Sequence, residues 1–370
     1  MQHIYLHTKL DISLPTINRI DTLETFFDEV LRQVNCSKKV FLVRGRKSYE
    51  MCGAKDILDR QIVNSGCDVY EFSDFNVNPQ IKDAYKGTEL IKQFNPDIII
   101  AVGGGSVIDM SKLVRHYAKK TNIPLVAIPT TSGTGAESTQ FAVCYQNGIK
   151  QSIDGSDMLP EYVLLEPKLT LNNNDYLTAC TGFDALAQAI EAYWSINATP
   201  ESDRLALDAV KLIYPNLPDM SSNLDLRTKL MIGANLAGQA INITRTTAPH
   251  AMSYTLTSKF DYPHGHAVAL TFPFFLEYNV LCPEDQYSGS DYKTYKNKMT
   301  ILQQLLNPSI GTSLFAIMKH YTENLGLNFD INKPIEASAV EQGINIERAK
   351  NNPLRLTSEI IHKATLSIFE

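Results

Sequence analysis

The first part of the chain alternates short apolar runs with amphipathic stretches of helical period. The apolar runs that have the length and composition of β-strands are residues 39–44, 67–72, 97–102, 125–128 and 162–165. The stretches of helical period among them are residues 48–65, 80–94 and 107–117. Strands that alternate with helices in this way are typical of a doubly wound, mostly parallel sheet with crossover helices. The pattern therefore predicts an α/β domain over residues 1–167.

The pattern changes after about residue 170, where strand-like runs nearly vanish. Long stretches of apolar helical period follow at residues 176–196, 201–217, 224–243 and 300–325. Such periodicity without strands predicts an all-α domain. We place the boundary near Pro167, just after the last strand-like run, so that the helical domain covers residues 168–370. A chain of 370 residues usually has more than one hydrophobic core, which agrees with two domains.

Composition and charge narrow the class of protein. The hydrophobic fraction is 44% and the charged fraction 20%, as in soluble globular proteins. The net charge is -6 and no basic face is visible, which argues against a nucleic-acid partner. The N-terminal segment lacks the apolar core of a signal peptide, and no apolar run is long enough for a membrane span. The six cysteines are scattered, so we expect reduced thiols and a cytoplasmic location.

Two loops rich in glycine and hydroxyl residues follow predicted strands. The first, Gly103-Gly104-Gly105-Ser106, precedes a helix that carries Asp109. The second, residues 129–137, reads Pro-Thr-Thr-Ser-Gly-Thr-Gly-Ala-Glu. Glycines let the backbone approach a phosphate, and the N-terminus of a following helix offers free N–H groups. Two such loops at the carboxyl ends of neighbouring strands predict a nucleotide site, and the alternative is a pair of ordinary tight turns.

Three of the eight histidines fall close together in the sequence: His250, His264 and His266. We interpret the isolated ones as surface or core residues. Upstream, Asp184 and Gln188 are four residues apart in a stretch of helical period, so they share one face of a helix. An aspartate and two imidazoles form a suitable set of ligands for a divalent metal. The alternative is that these polar residues are unrelated to one another.

Four segments together resemble the iron-containing (group III) alcohol dehydrogenases, which are relatives of glycerol dehydrogenase and dehydroquinate synthase. They are GGGSVID from Gly103, IPTTSGTGAE from Ile128, GFDALAQAIE from Gly182 and PHGHA from Pro263, in the family's order. The resemblance covers most of the chain. It implies a nucleotide-binding α/β domain followed by a helical domain, with the active site in the cleft between them. It also implies a homodimer or a larger homo-oligomer.

The same resemblance implies a set of metal ligands. The family binds its metal with an Asp and a His one helical turn apart, followed by two His residues fourteen positions apart. Asp184, His250 and His264 match in type and spacing. The second position is Gln188, whose amide oxygen is neutral like imidazole but a poorer ligand for a borderline metal, so metal affinity and identity are affected. Fe²⁺ is the expected metal and Zn²⁺ the alternative. Tyr254 stands where relatives often have a further His.

Positions that contact the dinucleotide in relatives are matched here by Asn78, Gly104, Gly105, Ser106, Thr130, Thr131, Ser132 and Lys150. Asp109 of the first loop is a further candidate. Relatives that prefer NAD carry an Asp after the first strand, and this chain has Gly45 there, between Arg44 and Arg46. Losing a carboxylate and gaining cations favours a 2′-phosphate. We therefore predict NADPH rather than NADH; the alternative is that the basic side chains simply face solvent.

Three segments further resemble one subgroup, the phosphonoacetaldehyde reductases. They are GRKSY from Gly45, ITRTTAPHAMSY from Ile243 and PHGHAVAL from Pro263. The substrate implied is phosphonoacetaldehyde, which would be reduced to 2-hydroxyethylphosphonate. Arg245 is a candidate to bind the substrate anion as a bidentate guanidinium. The alternative is that Arg245 caps the helix that ends near Ile243.

The predicted reaction is hydride transfer from a nicotinamide to the carbon of a small aldehyde. The metal polarises the carbonyl oxygen and stabilises the developing alkoxide. His266 or Tyr254 then supplies a proton to that alkoxide. One alternative is a lyase like dehydroquinate synthase, which recycles bound NAD and is expected to need more Lys and Arg around its cleft. Another is a non-catalytic nucleotide-binding protein, which Gln188 permits but which has no need of His250 and His264.

Overall fold

The computed structural model describes residues 17–33, 39–219, 223–306, 313–344 and 346–369. These residues divide into two compact units. The first unit runs to Asn173 and also takes in the segment that ends at Met231, and the second comprises the remainder from Asn174. The boundary that the sequence places after residue 167 lies within a short 3-10 helix of the first unit, Pro167–Thr170.

The first unit is built on a six-stranded sheet and a separate hairpin. Its strands are β1 (Ile17–Ile20), β2 (Lys39–Arg44), β3 (Asp68–Phe72), β4 (Ile98–Gly103), β5 (Leu125–Pro129), β6 (Phe141–Gln146), β7 (Ile149–Asp154) and β8 (Tyr162–Leu165). The sheet order is β1-β8-β5-β4-β2-β3, and all neighbouring strands in it are parallel. Strands β6 and β7 form an antiparallel pair. The predicted doubly wound parallel sheet is thus confirmed.

Helices cover both faces of the sheet. They are α1 (Leu23–Gln33), α2 (Ser48–Met51), α3 (Ala54–Ser65), α4 (Ile81–Phe94) and α5 (Gly105–Ala118). Phe41 of β2 belongs to one hydrophobic cluster, together with Ile91 of α4 and Leu113 of α5. Its neighbour Leu42 belongs to a second cluster, together with Phe26 of α1. Because successive side chains of a strand point to opposite faces, a strand covered on both sides has a continuous apolar sequence.

Some elements of the first unit differ from the sequence-based prediction. The stretch 48–65 is two helices rather than one, because Gly53 has a left-handed backbone (φ 82°) that separates α2 from α3. Strand β1 and helix α1 were not predicted. Neither was the hairpin of β6 and β7, which turns at Asn147 and Gly148 with φ of 53° and 77°. Positive φ at both central residues is the signature of a type I′ hairpin turn.

The second unit is helical, which confirms the predicted all-α architecture. Its helices are α6 (Asp175–Trp194), α7 (Pro200–Ile213), the part of α8 (Leu224–Thr244) after Met231, α9 (Ala248–Phe260), α10 (His264–Val280), α11 (Tyr292–Leu306), α12 (Leu314–Asn324), α13 (Ala337–Gln342), α14 (Ile346–Ala349) and α15 (Ser358–Leu366). The stretch 300–325 is not one helix as predicted: α11 already begins at Tyr292 and α12 begins at Leu314. Residues 307–312 lie outside the described residues. Among the helices described, none has the length and apolar character needed to cross a membrane.

Helix α6 is the core element of the second unit. Asn174 caps its N-terminus, because the side chain accepts a hydrogen bond from the backbone N–H of Leu177 at 2.8 Å. From Thr178 to Trp194 all residues except Thr181 are buried. Helix α6 packs against α7 and α10. A helix that is covered on all sides has an apolar sequence all round, so any polar residue on it needs an explanation.

Candidate functional site

Two carboxylates and one amide interrupt the apolar surface of α6. Asp184, Gln188 and Glu191 follow one another by four and three positions, so they lie on one face of the helix. All three side chains are buried. Burying a polar or charged group costs free energy unless it is paired or hydrogen bonded. This face of α6 is therefore a candidate functional site.

The partners of Asp184 come from α9 and α10. His250 lies in the first turn of α9, and His264 is the first residue of α10. Helix α9 ends at Phe260, and the left-handed backbone of the next residue, Asp261 (φ 55°), turns the chain towards α10 within a few residues. The turn brings the two imidazole rings together, with centroids 5.3 Å apart and planes at 74°.

Asp184, His250 and His264 have the geometry of a metal site. His250 Nε2 lies 3.1 Å and His264 Nε2 lies 4.0 Å from the same oxygen, Asp184 Oδ1. One ligand atom from each residue lies within 4.8 Å of the others. Metal bonds of about 2.0–2.2 Å to imidazole and carboxylate need only a small contraction of this cluster. The donor set fits a divalent cation such as Fe²⁺ or Zn²⁺. Gln188 is buried one helical turn beyond Asp184 on the same face.

Gly265 sets how closely α10 approaches α6 at this cluster. A Cβ atom on Gly265 would lie 1.8 Å from the carbonyl oxygen of Cys180 and 3.1 Å from Asp184 Cβ. The carbonyl oxygen belongs to the backbone of a buried helix and cannot rotate away. Because Gly265 has no side chain, α10 can lie close enough to α6 for the neighbouring His264 to reach Asp184.

Glu191, which the sequence analysis did not identify, lies behind His250. His250 Nδ1 donates a hydrogen bond to Glu191 Oε1, which leaves Nε2 directed at Asp184. The other oxygen, Glu191 Oε2, accepts hydrogen bonds from Thr247 N at 2.5 Å and from Thr247 Oγ1 at 2.8 Å. Trp194 Nε1 donates to the same Thr247 hydroxyl at 2.8 Å. A carboxylate behind a ligating imidazole is the usual arrangement in protein metal sites.

The charges around His250 determine its protonation. Burial lowers the pKa of His250, but the carboxylates of Glu191 and Asp184 outweigh burial and raise it to about 9. The metal-free ring is therefore an imidazolium at neutral pH, paired with two carboxylates. Metal binding at Nε2 requires loss of the proton on that nitrogen, so a divalent cation takes the place of one proton beside the two carboxylates.

The two proton-donor candidates have different surroundings. His266 is buried; its Nδ1 accepts from the Tyr176 hydroxyl at 2.9 Å and its Nε2 donates to the Asn328 carbonyl oxygen at 2.8 Å. Burial lowers the pKa of His266, so the ring is neutral. Tyr254 is half-buried on α9, with its ring stacked on that of His264 at a centroid distance of 6.3 Å. Tyr254 thus lies beside a candidate metal ligand, whereas both ring nitrogens of His266 are hydrogen bonded within the protein.

Arg245 lies in the turn that joins α8 to α9. Its side chain is half-buried and its backbone has φ of 63°, in the left-handed region that is costly for a residue with a side chain. The backbone around it is held in place: Asn351 Nδ2 donates to the Thr246 carbonyl oxygen at 3.4 Å, and Thr247 is bound by Glu191. Arg245 directly follows the last residue of α8, and its backbone N–H donates to the Ile241 carbonyl oxygen at 2.9 Å, so this left-handed residue ends the helix.

In the first unit, the two glycine-rich loops lie side by side. Strands β4 and β5 are neighbours with Gly103 aligned to Pro129, and Thr130 N donates to the Gly103 carbonyl oxygen at 3.0 Å. A Cβ atom on Gly105 would lie 2.6 Å from Thr134 Oγ1. The two loops therefore leave the same edge of the sheet in contact, as the sequence predicts.

These loops offer hydrogen-bond donors of the kind that a pyrophosphate needs. Gly104 stands at the N-cap of α5 without a side-chain cap, which leaves the first N–H groups of that helix available to an anion. The Ser132 hydroxyl oxygen is buried and has no hydrogen-bond partner among the residues that the structure describes. Ser106 Oγ donates to the Val77 carbonyl oxygen, next to the exposed Asn78. Thr131 lies beside Gly104, where a Cβ atom would be 3.4 Å from Thr131 Oγ1. The loops fit a dinucleotide.

Asp109 has its own partners within the protein. Val143 N of the β6 strand donates to Asp109 Oδ2 at 3.0 Å, and Lys112 Nζ lies 3.9 Å from the other oxygen. Burial raises the pKa of Asp109 to about 6, against the opposing charges of Lys112 and Lys150. Asp109 thus ties α5 to the hairpin, while Lys150 of β7 is half-buried close to it.

The basic residues after β2 form ion pairs at the protein surface. Arg44 Nε lies 2.6 Å from Glu71, and Arg46 Nη2 lies 2.8 Å from Asp74. Gly45 between them donates its N–H to the Val102 carbonyl oxygen at 3.2 Å, which places this turn at the carboxyl edge of β4. The cations are therefore at the same end of the sheet as the residues predicted to bind a dinucleotide.

Comparisons with known proteins extend these observations. Residues 21–167 match the family model described as iron-containing alcohol dehydrogenase, and residues 178–333 match its companion for the C-terminal part of Fe-containing alcohol dehydrogenases. The chain is 31% identical to an NADPH-dependent butanol dehydrogenase from Clostridium saccharobutylicum, over 85% of this chain and 83% of the relative. It is also 31% identical to aldehyde-alcohol dehydrogenase 2 from Entamoeba histolytica, over 75% of this chain.

The chain spans about a third of the length of the aldehyde-alcohol dehydrogenases that it matches. Among solved structures it is similar to an iron-containing alcohol dehydrogenase from Thermotoga maritima, with a TM-score of 0.82 and 27% sequence identity. That similarity covers 97% of this chain and 99% of the Thermotoga chain. Both parts of the chain therefore have counterparts, in sequence and in structure, in a single family.

Proposed function

The chain belongs to the iron-containing alcohol dehydrogenase family, and we propose that it is a metal-assisted, nicotinamide-dependent reductase of a small aldehyde. The observation that carries the proposal is the cluster of Asp184, His250 and His264, whose ligand atoms lie within 4.8 Å of one another. The paired glycine-rich loops support a dinucleotide as the second reactant. The reaction converts one aldehyde, one reduced nicotinamide and one proton into one alcohol and one oxidised nicotinamide.

The residues in and around the cluster have different roles in this reaction. When bound, a divalent metal polarises the aldehyde carbonyl and the nicotinamide supplies the hydride. Asp184 supplies the negative charge that holds the cation, and Glu191 keeps Nδ1 of His250 protonated so that Nε2 is the ligand atom. Tyr254, stacked on His264, is the proposed donor of the proton to the alkoxide, with His266 as the second candidate.

We propose NADPH as the coenzyme. Gly45 supplies no carboxylate to bind a ribose hydroxyl, and Arg44 and Arg46 stand on either side of it. The ion pair of Arg46 with Asp74 is exposed, so it contributes little to stability and can be exchanged for a phosphate, whereas the pair of Arg44 with Glu71 is partly buried. The butanol dehydrogenase at 31% identity is NADPH-dependent by name, which agrees with this proposal.

The proposed substrate is an aldehyde that carries a phosphonate group, phosphonoacetaldehyde. Arg245 supports this choice, because its guanidinium can bind two oxygens of a phosphonate and its turn is attached through Thr247 and Glu191 to the candidate ligand His250. Dimer formation and a cytoplasmic location are further parts of the proposal.

Nucleotide oxidation by the purified protein, followed at 340 nm, tests this function. Phosphonoacetaldehyde and neutral short aldehydes are each offered with NADPH and with NADH, with and without added Fe²⁺ or Zn²⁺. We expect metal-dependent turnover that prefers NADPH and the phosphonate. Arg245→Ala should raise KM for phosphonoacetaldehyde by roughly 10–100-fold, as expected for a lost charge-assisted bidentate contact of about 1.5–3 kcal/mol, and leave neutral aldehydes unaffected.

The other outcomes separate the alternatives. Turnover of neutral aldehydes alone would keep the reductase and remove the phosphonate assignment. Phosphonate turnover that is unchanged in Arg245→Ala would assign Arg245 to the helix end. Turnover of a substrate without net consumption of nicotinamide would point to a lyase. Nucleotide binding without turnover under any metal condition would overturn the catalytic proposal.

Gln188 provides a separate prediction on metal affinity. We expect Gln188→His to raise the affinity for Zn²⁺ or Fe²⁺ by about tenfold or more, because imidazole is a better ligand than an amide oxygen for these metals. Residue 188 is buried one turn from Asp184, so the new ring starts on the correct face of α6. Competition with a chromophoric chelator measures the affinity. Gln188→Ala, which offers no ligand, should bind no more tightly than the parent protein; equal affinity of all three proteins would mean that residue 188 does not face the metal.

A further inference from the structure

We propose that Glu191 is a positioning residue that sets both the metal-ligating imidazole of His250 and the turn that carries Arg245. One of its carboxylate oxygens binds His250, and the other binds Thr247 at the start of α9. The metal half of this inference stands on the His250 cluster alone. The Arg245 half rests on the proposed function.

The first oxygen controls the orientation of His250. An ionised carboxylate only accepts hydrogen bonds, so its bond with His250 requires a proton on Nδ1. Nε2 is then the nitrogen available to a metal, and it already lies 3.1 Å from Asp184 Oδ1. This hydrogen bond fixes both the tautomer and the orientation of the ring. A ring flip would break the bond to Glu191, whose side chain is fully buried.

The second oxygen controls the start of α9. Thr247 precedes that helix, in the N-cap position, yet its side chain does not cap its own helix. Its hydroxyl instead donates to Glu191 Oε2 and accepts from Trp194 Nε1, and its backbone N–H donates to the same carboxylate oxygen. The side chains of Glu191, Thr247 and Trp194 are all fully buried. Losing any of these hydrogen bonds therefore costs free energy, because water cannot replace the missing partner.

The position of Arg245 depends on this second contact. Arg245 is two residues before Thr247 and ends α8 with a left-handed backbone, its N–H donating to the Ile241 carbonyl oxygen at 2.9 Å. Thr244 Oγ1 donates to the Arg245 carbonyl oxygen at 2.9 Å and closes the turn from the other side. One carboxylate therefore connects the metal ligand to the residue proposed to hold the substrate anion, so the two are positioned together.

Glu191→Gln tests the metal half. The variant keeps the size of the side chain, but its amide carries one acceptor and one donor, so it cannot accept from both His250 and Thr247. We expect the affinity for Zn²⁺ to fall roughly 10–100-fold, the usual cost of losing a partner of a ligating His. Glu166→Gln is the matched control, because Glu166 is also buried but accepts from Leu23 N in the first unit. It should keep the parent affinity, whereas equal affinities in all three proteins would overturn the proposal.

Proton NMR of the parent protein tests the hydrogen bond between His250 and Glu191 without depending on whether a variant folds. In the Zn²⁺-loaded protein, proton NMR should show a slowly exchanging, downfield imidazole N–H resonance from His250 Nδ1, hydrogen bonded to the carboxylate. The resonance should be absent from a folded Glu191→Gln protein and present in Glu166→Gln. A Zn²⁺-loaded parent in which His250 has its proton on Nε2 would refute the assignment.

Thr247→Val tests the Arg245 half separately. It removes the hydroxyl contact to Glu191 but leaves His250 Nδ1 bonded, so Zn²⁺ affinity should stay within a few-fold of the parent while KM for phosphonoacetaldehyde rises. An unchanged KM removes Arg245 from the proposal. If the parent does not reduce phosphonoacetaldehyde at all, the proposed substrate is wrong, and the metal affinities of Glu191→Gln and Glu166→Gln still decide the metal half.

Discussion

Replacing Asp184 with asparagine is expected to lower kcat/KM for aldehyde reduction by about 10³-fold, because Lewis-acid activation contributes several kcal/mol and each 1.36 kcal/mol is a factor of ten. Asparagine keeps the shape of the side chain but removes the charge next to His250 and His264. The remaining candidate ligands then provide no negative charge to compensate that of the cation. The measurements are steady-state kinetics with added metal and metal content after dialysis.

Asp203→Asn is the matched control for this variant. Asp203 is partly buried in the same helical unit, where it accepts from Lys298 Nζ at 2.7 Å, but it takes no part in the candidate metal cluster. Its loss should lower thermal stability slightly and leave metal content and kcat/KM unchanged. A fully active Asp184→Asn protein without bound metal would show that Asp184, His250 and His264 are not the catalytic centre.

The architecture of the first unit was largely predictable from the sequence, for a physical reason. Strands β2, β4 and β5 are buried on both faces, so their sequences are continuously apolar and stand out from the helices between them. The β6–β7 hairpin was missed because β7 is half-exposed and has no strong apolar alternation. Its turn, Asn147-Gly148, nevertheless carries the sequence signature of a type I′ turn and was the signal that could have found it.

The candidate metal residues were predictable because their spacing is local. Asp184 and Gln188 are one helical turn apart, and the His250–His264 interval follows from one short turn between two helices. Glu191 was missed although it lies on the same face of the same helix. An acidic residue in a stretch that is otherwise apolar all round was the available signal, since such a charge is buried only when it has partners.

Other features of the site depend on the three-dimensional packing and leave no pattern in the sequence. The turn that follows Arg245 is held by Glu191 and Asn351, which come from distant parts of the chain. The surroundings of His266 are equally non-local, because its ring is held by Tyr176 and by the Asn328 carbonyl oxygen. Spacing alone grouped His266 with His264, and only the packing shows how different the two rings are.

Gly265 leads to the second prediction of a large effect. We expect Gly265→Ala to lower metal affinity and kcat/KM by about 100-fold, because displacing a reacting group by about 1 Å has consequences of that size. The new Cβ atom would lie 1.8 Å from the Cys180 carbonyl oxygen, so α10 must move away from α6. His264, the neighbouring residue, moves with it and separates from Asp184. Chelator competition and steady-state kinetics measure the two effects, and a thermal melt measures the accompanying loss of stability, about 1–3 kcal/mol for overpacking.

Gly233→Ala separates the displacement of His264 from a general loss of stability. A Cβ atom on Gly233 would lie 2.6 Å from Ile213 Cγ1, which belongs to a side chain and can shift by changing its rotamer. This variant should lose some thermal stability and keep its metal affinity, whereas Gly265→Ala should lose both. If Gly265→Ala binds metal as tightly as the parent, the spacing between α6 and α10 does not control the site, and the metal ligands must adapt to a displaced helix. If Gly233→Ala loses metal as well, the site responds to the stability of the whole helical unit rather than to the contact between Gly265 and Cys180.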